Sequence, residues 1–219
     1  MINEKIDQAL YFLKEIEKQY ETPSPDIKYV FSAFLSSIQS VPDYLLSEAN
    51  RKFGLGLIDS KTWYPSDFCK KSKEIDNEKA LKFYRFWNQY RKKLRKSQFG
   101  KLFYMLRNMD IHKTSQKPLF IFVVSINNNS NYSQTVLVEE VRRAEIKNNY
   151  LQREIDNTKK EVLEDANKDR ERKYTENDLI LQISFKTPLG KNFELKEVCL
   201  EILHEMKKFD TESQKLLNS

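Results

Sequence analysis

Glycine occurs 4 times and proline 6 times in 219 residues, and charged residues make up 32% against 39% hydrophobic. So few backbone breakers with so many charges point to a helix-rich soluble protein. Cysteine is scarcer: Cys69 and Cys199 stand far apart with no companions. That excludes a disulfide framework, and the two read as reduced thiols of a cytoplasmic protein. With His112 and His204 the only histidines, there is no histidine pair at ligand spacing, no cysteine pair and no recognisable carboxylate cluster, so neither a metal site nor a cofactor is expected. No apolar run approaches the ~18 residues of a membrane span, and the polar start MINEKIDQ is not a signal peptide. Gly54 and Gly56 flank a leucine but follow no strand, so GLG is not a phosphate-binding loop. The net charge of +6 permits an anionic partner and is equally common in plain soluble domains.

Apolar periodicity organises the first half of the chain. Ile6, Leu10, Leu13 and Ile16 mark a helix over residues 2–20. After the breaker TPSPD a second helix carries Val30, Phe31, Phe34, Leu35, Ile38 and Val41, and Pro42 predicts a kink there or a restart with Ser40 as cap. Residues 53–66 read as a loop. A third helix is predicted from Asp76, with Tyr84, Phe86, Trp87 and Tyr90 among its apolar positions. Its second half, running into the next segment, holds Arg91, Lys92, Lys93, Arg95, Lys96 and Lys101. Two readings of this basic cluster stand: a solvated helix face, or a patch that tracks phosphates with exposed Tyr or Trp for base stacking.

The next stretch, QFGKLFYMLRNMDIHK from Gln98 to Lys113, begins as a helix with Leu102, Phe103, Leu106 and Met109 on one face. It then brings Arg107, Asn108 and His112 within six residues. Arg107 is a permanent cation shaped for bidentate grip on phosphate, and His112 exchanges protons near neutral pH. At 3.6 residues per turn Asn108 and His112 share a face, but Arg107 and His112 sit roughly 140° apart. For both to meet one phosphate, the helix must end or bend before His112, or a second copy must supply the missing group.

Beyond Pro118, LFIFVVSI (Leu119–Ile126) reads as a buried strand and NNNSNYSQ as a loop. Thr135–Val138 suits a second strand or the start of a helix. Residues 147–173 read as a long, mostly exposed helix or a partly disordered arm, Leu179–Phe185 as a strand, and residues 193–217 as the last helix, with His204 a satisfied or half-exposed member of it.

Arg107-Asn108-Met109-Asp110-Ile111-His112 resembles the signature of the HEPN family, an arginine followed by a polar residue and, four to six positions after the arginine, a histidine. The helix FSAFLSSIQSVPDYLL (Phe31–Leu46) is similar to the corresponding helix of one branch of that family. The resemblance implies a mainly α fold, an up-down four-helix bundle in one domain over residues 1–219, with residues 114–190 inserted before the last helix as a short sheet and charged helix. It also implies a homodimer whose two motifs face each other across the two-fold axis, an RNA partner, and an antitoxin partner such as a nucleotidyltransferase.

The residues allow a metal-independent ribonuclease. A 2′-hydroxyl attacking its adjacent phosphate needs a base near pKa 7 and a group that stabilises charge on phosphorus. His112 would be the proton-transfer group, Arg107 the clamp, and Asn108 would orient the imidazole or the RNA backbone, with Asp110 a lesser candidate for orienting His112 of the same or the other protomer. Arg91, Lys92, Arg95, Lys96 and Lys101 would hold the substrate. The alternative is a non-catalytic dimer that binds nucleotide, RNA or a protein, and a third reading gives Arg107 and Asn108 only the role of ending their helix.

Overall fold

The structure, a computed structural model, describes residues 2–24, 26–58, 64–111, 119–126, 129–137, 150–168, 173–186 and 191–218, with the backbone alone at residues 2–3, 98–99, 107–111, 119, 129–132, 137 and 150. It is mainly α with a small four-stranded antiparallel sheet. The order is α1 (Ile2–Lys18), α2 (Ile27–Lys52), α3 (Pro65–Glu74), α4 (Glu78–Lys96), α5 (Gln98–Ile111), β1 (Leu119–Ile126), β2 (Asn129–Leu137), α6 (Tyr150–Asn167), β3 (Leu179–Lys186), β4 (Asn192–Glu194) and α7 (Leu195–Leu217). No helix among the described residues is long and apolar enough to cross a membrane. The chain forms two compact units: Met1–Tyr11, Ala33–Asn108 and Leu200–Ser219 make the first, and Phe12–Ser32 with Met109–Cys199 the second.

In the first unit α2 continues through Pro42 as one helix, without the restart that Ser40 offered. Proline inside a helix costs about 3 kcal/mol. Phe34, Leu35, Ile38, Val41, Leu45 and Leu46 are all buried along this stretch, and at roughly 1.5–3 kcal/mol per large side chain they outweigh it. The Trp87 indole of α4 donates to the Pro42 carbonyl at 2.9 Å, tying the proline turn to the neighbouring helix. Helix α3 falls partly where the sequence reading has a loop. Pro65 at its first position is already set for a helix, and the Asp67 carboxylate accepts the Tyr64 amide at 2.7 Å. Asn77 caps α4, its side-chain oxygen accepting the Ala80 amide at 3.0 Å while its amide donates to the Phe53 carbonyl at 3.2 Å.

Helices α4 and α5 meet at a corner of one residue. The Ser97 hydroxyl donates to the Leu94 carbonyl at 2.8 Å and accepts the Gly100 amide at 3.0 Å, closing one helix and opening the next. Gly100 lies directly against the end of α4, where an added Cβ would fall 1.6 Å from the Leu94 carbonyl oxygen. On α7, Tyr90 of α4 stacks parallel to Phe209 at 4.3 Å. Further along, the Gln214 amide donates to Glu48 at 3.1 Å and to Asp210 at 3.3 Å. Burial raises the pKa of Asp210; the Gln214 hydrogen bond works against this, and the Glu48 charge adds to it.

In the second unit the strand order is β2-β1-β3-β4, antiparallel throughout. β1 is central, and its residues Phe120, Ile121, Phe122, Val124, Ser125 and Ile126 are buried. A strand covered on both faces needs no polar alternation, which is why it reads as a continuous apolar run. Phe31 of α2 packs its ring against Phe120 at 5.8 Å and Phe185 at 5.4 Å. The segment read as the NNNSNYSQ loop is mostly strand: β2 begins at Asn129 and pairs with β1, with a register shift between Ser125 and Ile126. Helix α6 packs against β1 and β2. Its Leu151, Ile155, Thr158, Val162 and Ala166 are buried at three- and four-residue steps, so most of the sparse apolar residues of this charged segment fall on one covered face, with Leu163 half-buried beside it. The helix is exposed on the other. Asn192–Glu194 pairs with β3, and the last helix starts at Leu195, two residues later than the sequence reading has it.

Two outcomes follow from the first unit. Alanine for glycine inside a helix ordinarily gains about 1 kcal/mol, but at position 100 the methyl meets a backbone carbonyl that can yield only if α5 moves. Gly100→Ala is expected to lower stability by roughly 1–3 kcal/mol in denaturant unfolding. Asp210 presents the opposite case. Its folded pKa is raised, so the stability contributed by the protonated form is full below the unfolded value and is lost as pH rises through the folded one. Asp210→Asn should therefore raise the melting temperature at pH 7, and the difference from the parent should close below about pH 4, where the acid is neutral in both states.

Candidate nucleic-acid interface

Arg107 and Asn108 are helical residues in the second half of α5, within the same unit as α4. Their side chains, that of Asp110, and His112 as a whole lie outside the described residues. What the structure does describe is how the helix bearing Arg107 is launched. The Ser97 corner fixes the start of α5 against the end of α4, and Arg107 follows Lys101 by about 9 Å of helix rise.

The five residues grouped by sequence as substrate-binding are all described, and they fall into two kinds. At 100° per residue, Lys92 and Lys96 lie on the side of α4 opposite its buried Trp87 and Leu94. Both are exposed, as is Lys101 on α5. Arg91 and Arg95 lie one turn apart on a flank of α4, and each rests on a ring. The Arg91 guanidinium is 4.5 Å from the centroid of Trp87, and that of Arg95 is 4.7 Å from Tyr104 of α5. The Nε of Arg91 is buried and has no hydrogen-bond partner among the described residues.

The rings beneath are firmly held. Trp87 donates to Pro42 and stacks on Tyr84 at 6.2 Å, and Tyr84 stacks on Phe68 at 6.1 Å. Burial raises the Tyr84 pKa, with the Cys69 thiol adding to the effect and Arg91 opposing it. The exposed aromatics that the sequence reading offered for base stacking are not on α4. Trp87 is 1% and Tyr90 8% exposed. Tyr90 is committed to Phe209 and, through its hydroxyl, to the Glu205 carbonyl at 3.2 Å; burial and the Glu205 carboxylate push its pKa up. Trp87 and Tyr90 are buried on the core side of α4 and Tyr84 and Phe86 are half-buried against other rings, while the long basic side chains reach water.

A cluster in the second unit went unread in the sequence. Tyr20 donates to the Glu194 carboxylate and accepts the Lys196 amide at 3.3 Å, while Lys196 pairs with Glu17 at 3.0 Å. Glu194 also accepts the Glu197 amide, so the carboxylate and the phenol together close the N-terminus of α7. Burial, the largest effect, and the Glu194 carboxylate raise the pKa of Tyr20 far above the phenol range. Burial, with Glu194 behind it, raises Cys199 well above the usual thiol value, which keeps the thiol neutral and unreactive. The only signal for this cluster was a glutamate ahead of an apolar run, a common helix start. His204, expected as a satisfied or half-exposed helix residue, is exposed on α7.

Among the described residues no group of three or more His, Cys, Asp or Glu side chains is placed to hold a metal ion. Compared with protein-family models, with curated proteins and with solved structures, the chain matches none.

Proposed function

We propose that the chain is a metal-independent endoribonuclease of HEPN type, working as a homodimer. The 2′-oxygen of a ribose attacks the adjacent phosphorus and its proton passes to His112. The bond from phosphorus to the 5′-oxygen breaks, that oxygen takes up a proton from water and leaves as a 5′-hydroxyl, and a 2′,3′-cyclic phosphate remains. Arg107 clamps the non-bridging oxygens as charge grows on them, and Asn108 orients the imidazole or the strand. A second copy of the chain brings its own Arg107 and His112, which answers the angular separation of the two along one helix. Arg91, Lys92, Arg95, Lys96 and Lys101 hold the strand. The reading extends to a cytoplasmic setting, where both thiols stay reduced, and to a toxin or defence role restrained by a partner such as a nucleotidyltransferase.

The observation that supports this reading best is the corner at Ser97, which couples the helix carrying Arg107 and Asn108 to the helix carrying the basic cluster. A binding module without catalysis is favoured by the two ring-stacked arginines alone, which need no chemistry to grip a phosphate. Incubation with RNA in EDTA, followed by end-group analysis, separates the two. Cyclic phosphate ends support the enzyme, and intact RNA with salt-sensitive binding supports the module. His112→Ala and Arg107→Ala should each reduce cleavage by about a hundredfold or more, with circular dichroism and dimer mass unchanged. Cleavage by both variants at the parent's rate would refute the assignment.

A further inference from the structure

The geometry points to Arg91 and Arg95 as a preset clamp for the phosphodiester backbone of a nucleic-acid strand, one that reads neither base nor sugar. The inference takes the class of ligand from the reading above but does not depend on cleavage.

Three observations carry it. First, both guanidinium groups are laid on rings, at 4.5 Å and 4.7 Å, and the Trp87 ring is itself fixed by its hydrogen bond to Pro42. A lysine on a free stem must lose side-chain entropy when it meets a phosphate; a guanidinium already resting on a ring has lost much of it, so less is given up on binding. Second, the two lie one helical turn apart on the same flank, with about 6 Å of rise between them. Two cations placed one turn apart can each meet a different phosphate of one strand. Third, the rings that would otherwise stack on bases are occupied. Trp87 and Tyr90 are buried, and Tyr104 lies beneath Arg95. Sequence-tolerant strand binding usually combines a basic groove with open ring faces; here α4 offers the first without the second. Base identity and the 2′-hydroxyl are then left to the residues around Arg107 and His112. Strand capture and ribose discrimination would reside in separate parts of the protein.

The test uses the full-length chain carrying His112→Ala, so that RNA survives the measurement, and fluorescein-labelled single strands of DNA and RNA read by anisotropy across a salt series. The expected result is binding of both strands that falls linearly on log–log axes with salt, and an arginine substitution that weakens DNA and RNA binding to within about threefold of the same extent. Arg91→Gln and Arg95→Gln should each weaken binding about tenfold and reduce the salt slope by roughly one. Arg95→Lys should restore the slope without restoring the affinity, because the charge returns and the planar stack does not. Arg95 is exposed, so its variants keep the test valid even if Arg91→Gln disturbs packing on Trp87. If Arg95→Gln binds like its parent, or weakens RNA binding tenfold while leaving DNA binding unchanged, the inference is overturned while the ribonuclease reading stands. If DNA is held through the arginines but the unmutated chain cuts no RNA, the inference stands and the ribonuclease reading falls. Binding of neither strand overturns it as well.

Discussion

The close approach of Gly100 to the Leu94 carbonyl is the contact on which the candidate interface depends. A helix normally leaves its last carbonyls facing solvent and takes several residues to turn before another begins. Here a single serine closes α4 and opens α5, and the chain can do this only because nothing projects from the α-carbon of residue 100. The placement of Arg95 follows from that economy of length. Tyr104 can lie under Arg95 because α5 starts within one residue of where α4 stops.

Burial of the α4 aromatics has a similar reach. Trp87 serves at once as a core residue, a donor to the proline turn of α2 and a floor for Arg91. The cost of proline inside α2 and the placement of a cation on the surface are thereby linked through one indole. A charge run that would otherwise be equivalent along its length becomes uneven: two arginines rest on rings and the lysines project freely.

Much of this was legible in the sequence where burial and periodicity coincide. Phe34, Ile38, Val41 and Leu45 recur at helical spacing, and the helix they predict is present despite Pro42. The central strand β1 was equally plain, because a segment covered on both faces has little room for polar residues. The edge strand β2 was not, since Asn129–Gln134 has no alternation of its own and is extended only because β1 lies beside it. Helix α3 carried its signal in Pro65 and Asp67, a start too brief to stand out from the loop before it. The candidate site divides the same way. The basic residues and the Arg-Asn run could be found by type and spacing, as could the four-residue step from Trp87 to Arg91, whereas the stacking of Arg95 on Tyr104 depends on how α4 meets α5, which no local pattern records.

The order of assembly is constrained by the way the units are composed. The first unit contains Leu200–Ser219 beside Ala33–Asn108, and the second joins Phe12–Ser32 to Met109–Cys199. In the sheet, Leu119 pairs with Lys186, far along the chain. Pairings over such separations close late, because the loop entropy must be met before the contact stabilises anything. On a ribosome the α4–α5 corner can form as soon as its residues emerge, while the first unit is not complete until α7 has been made. The basic helix pair can thus form before the core that covers its buried face is complete.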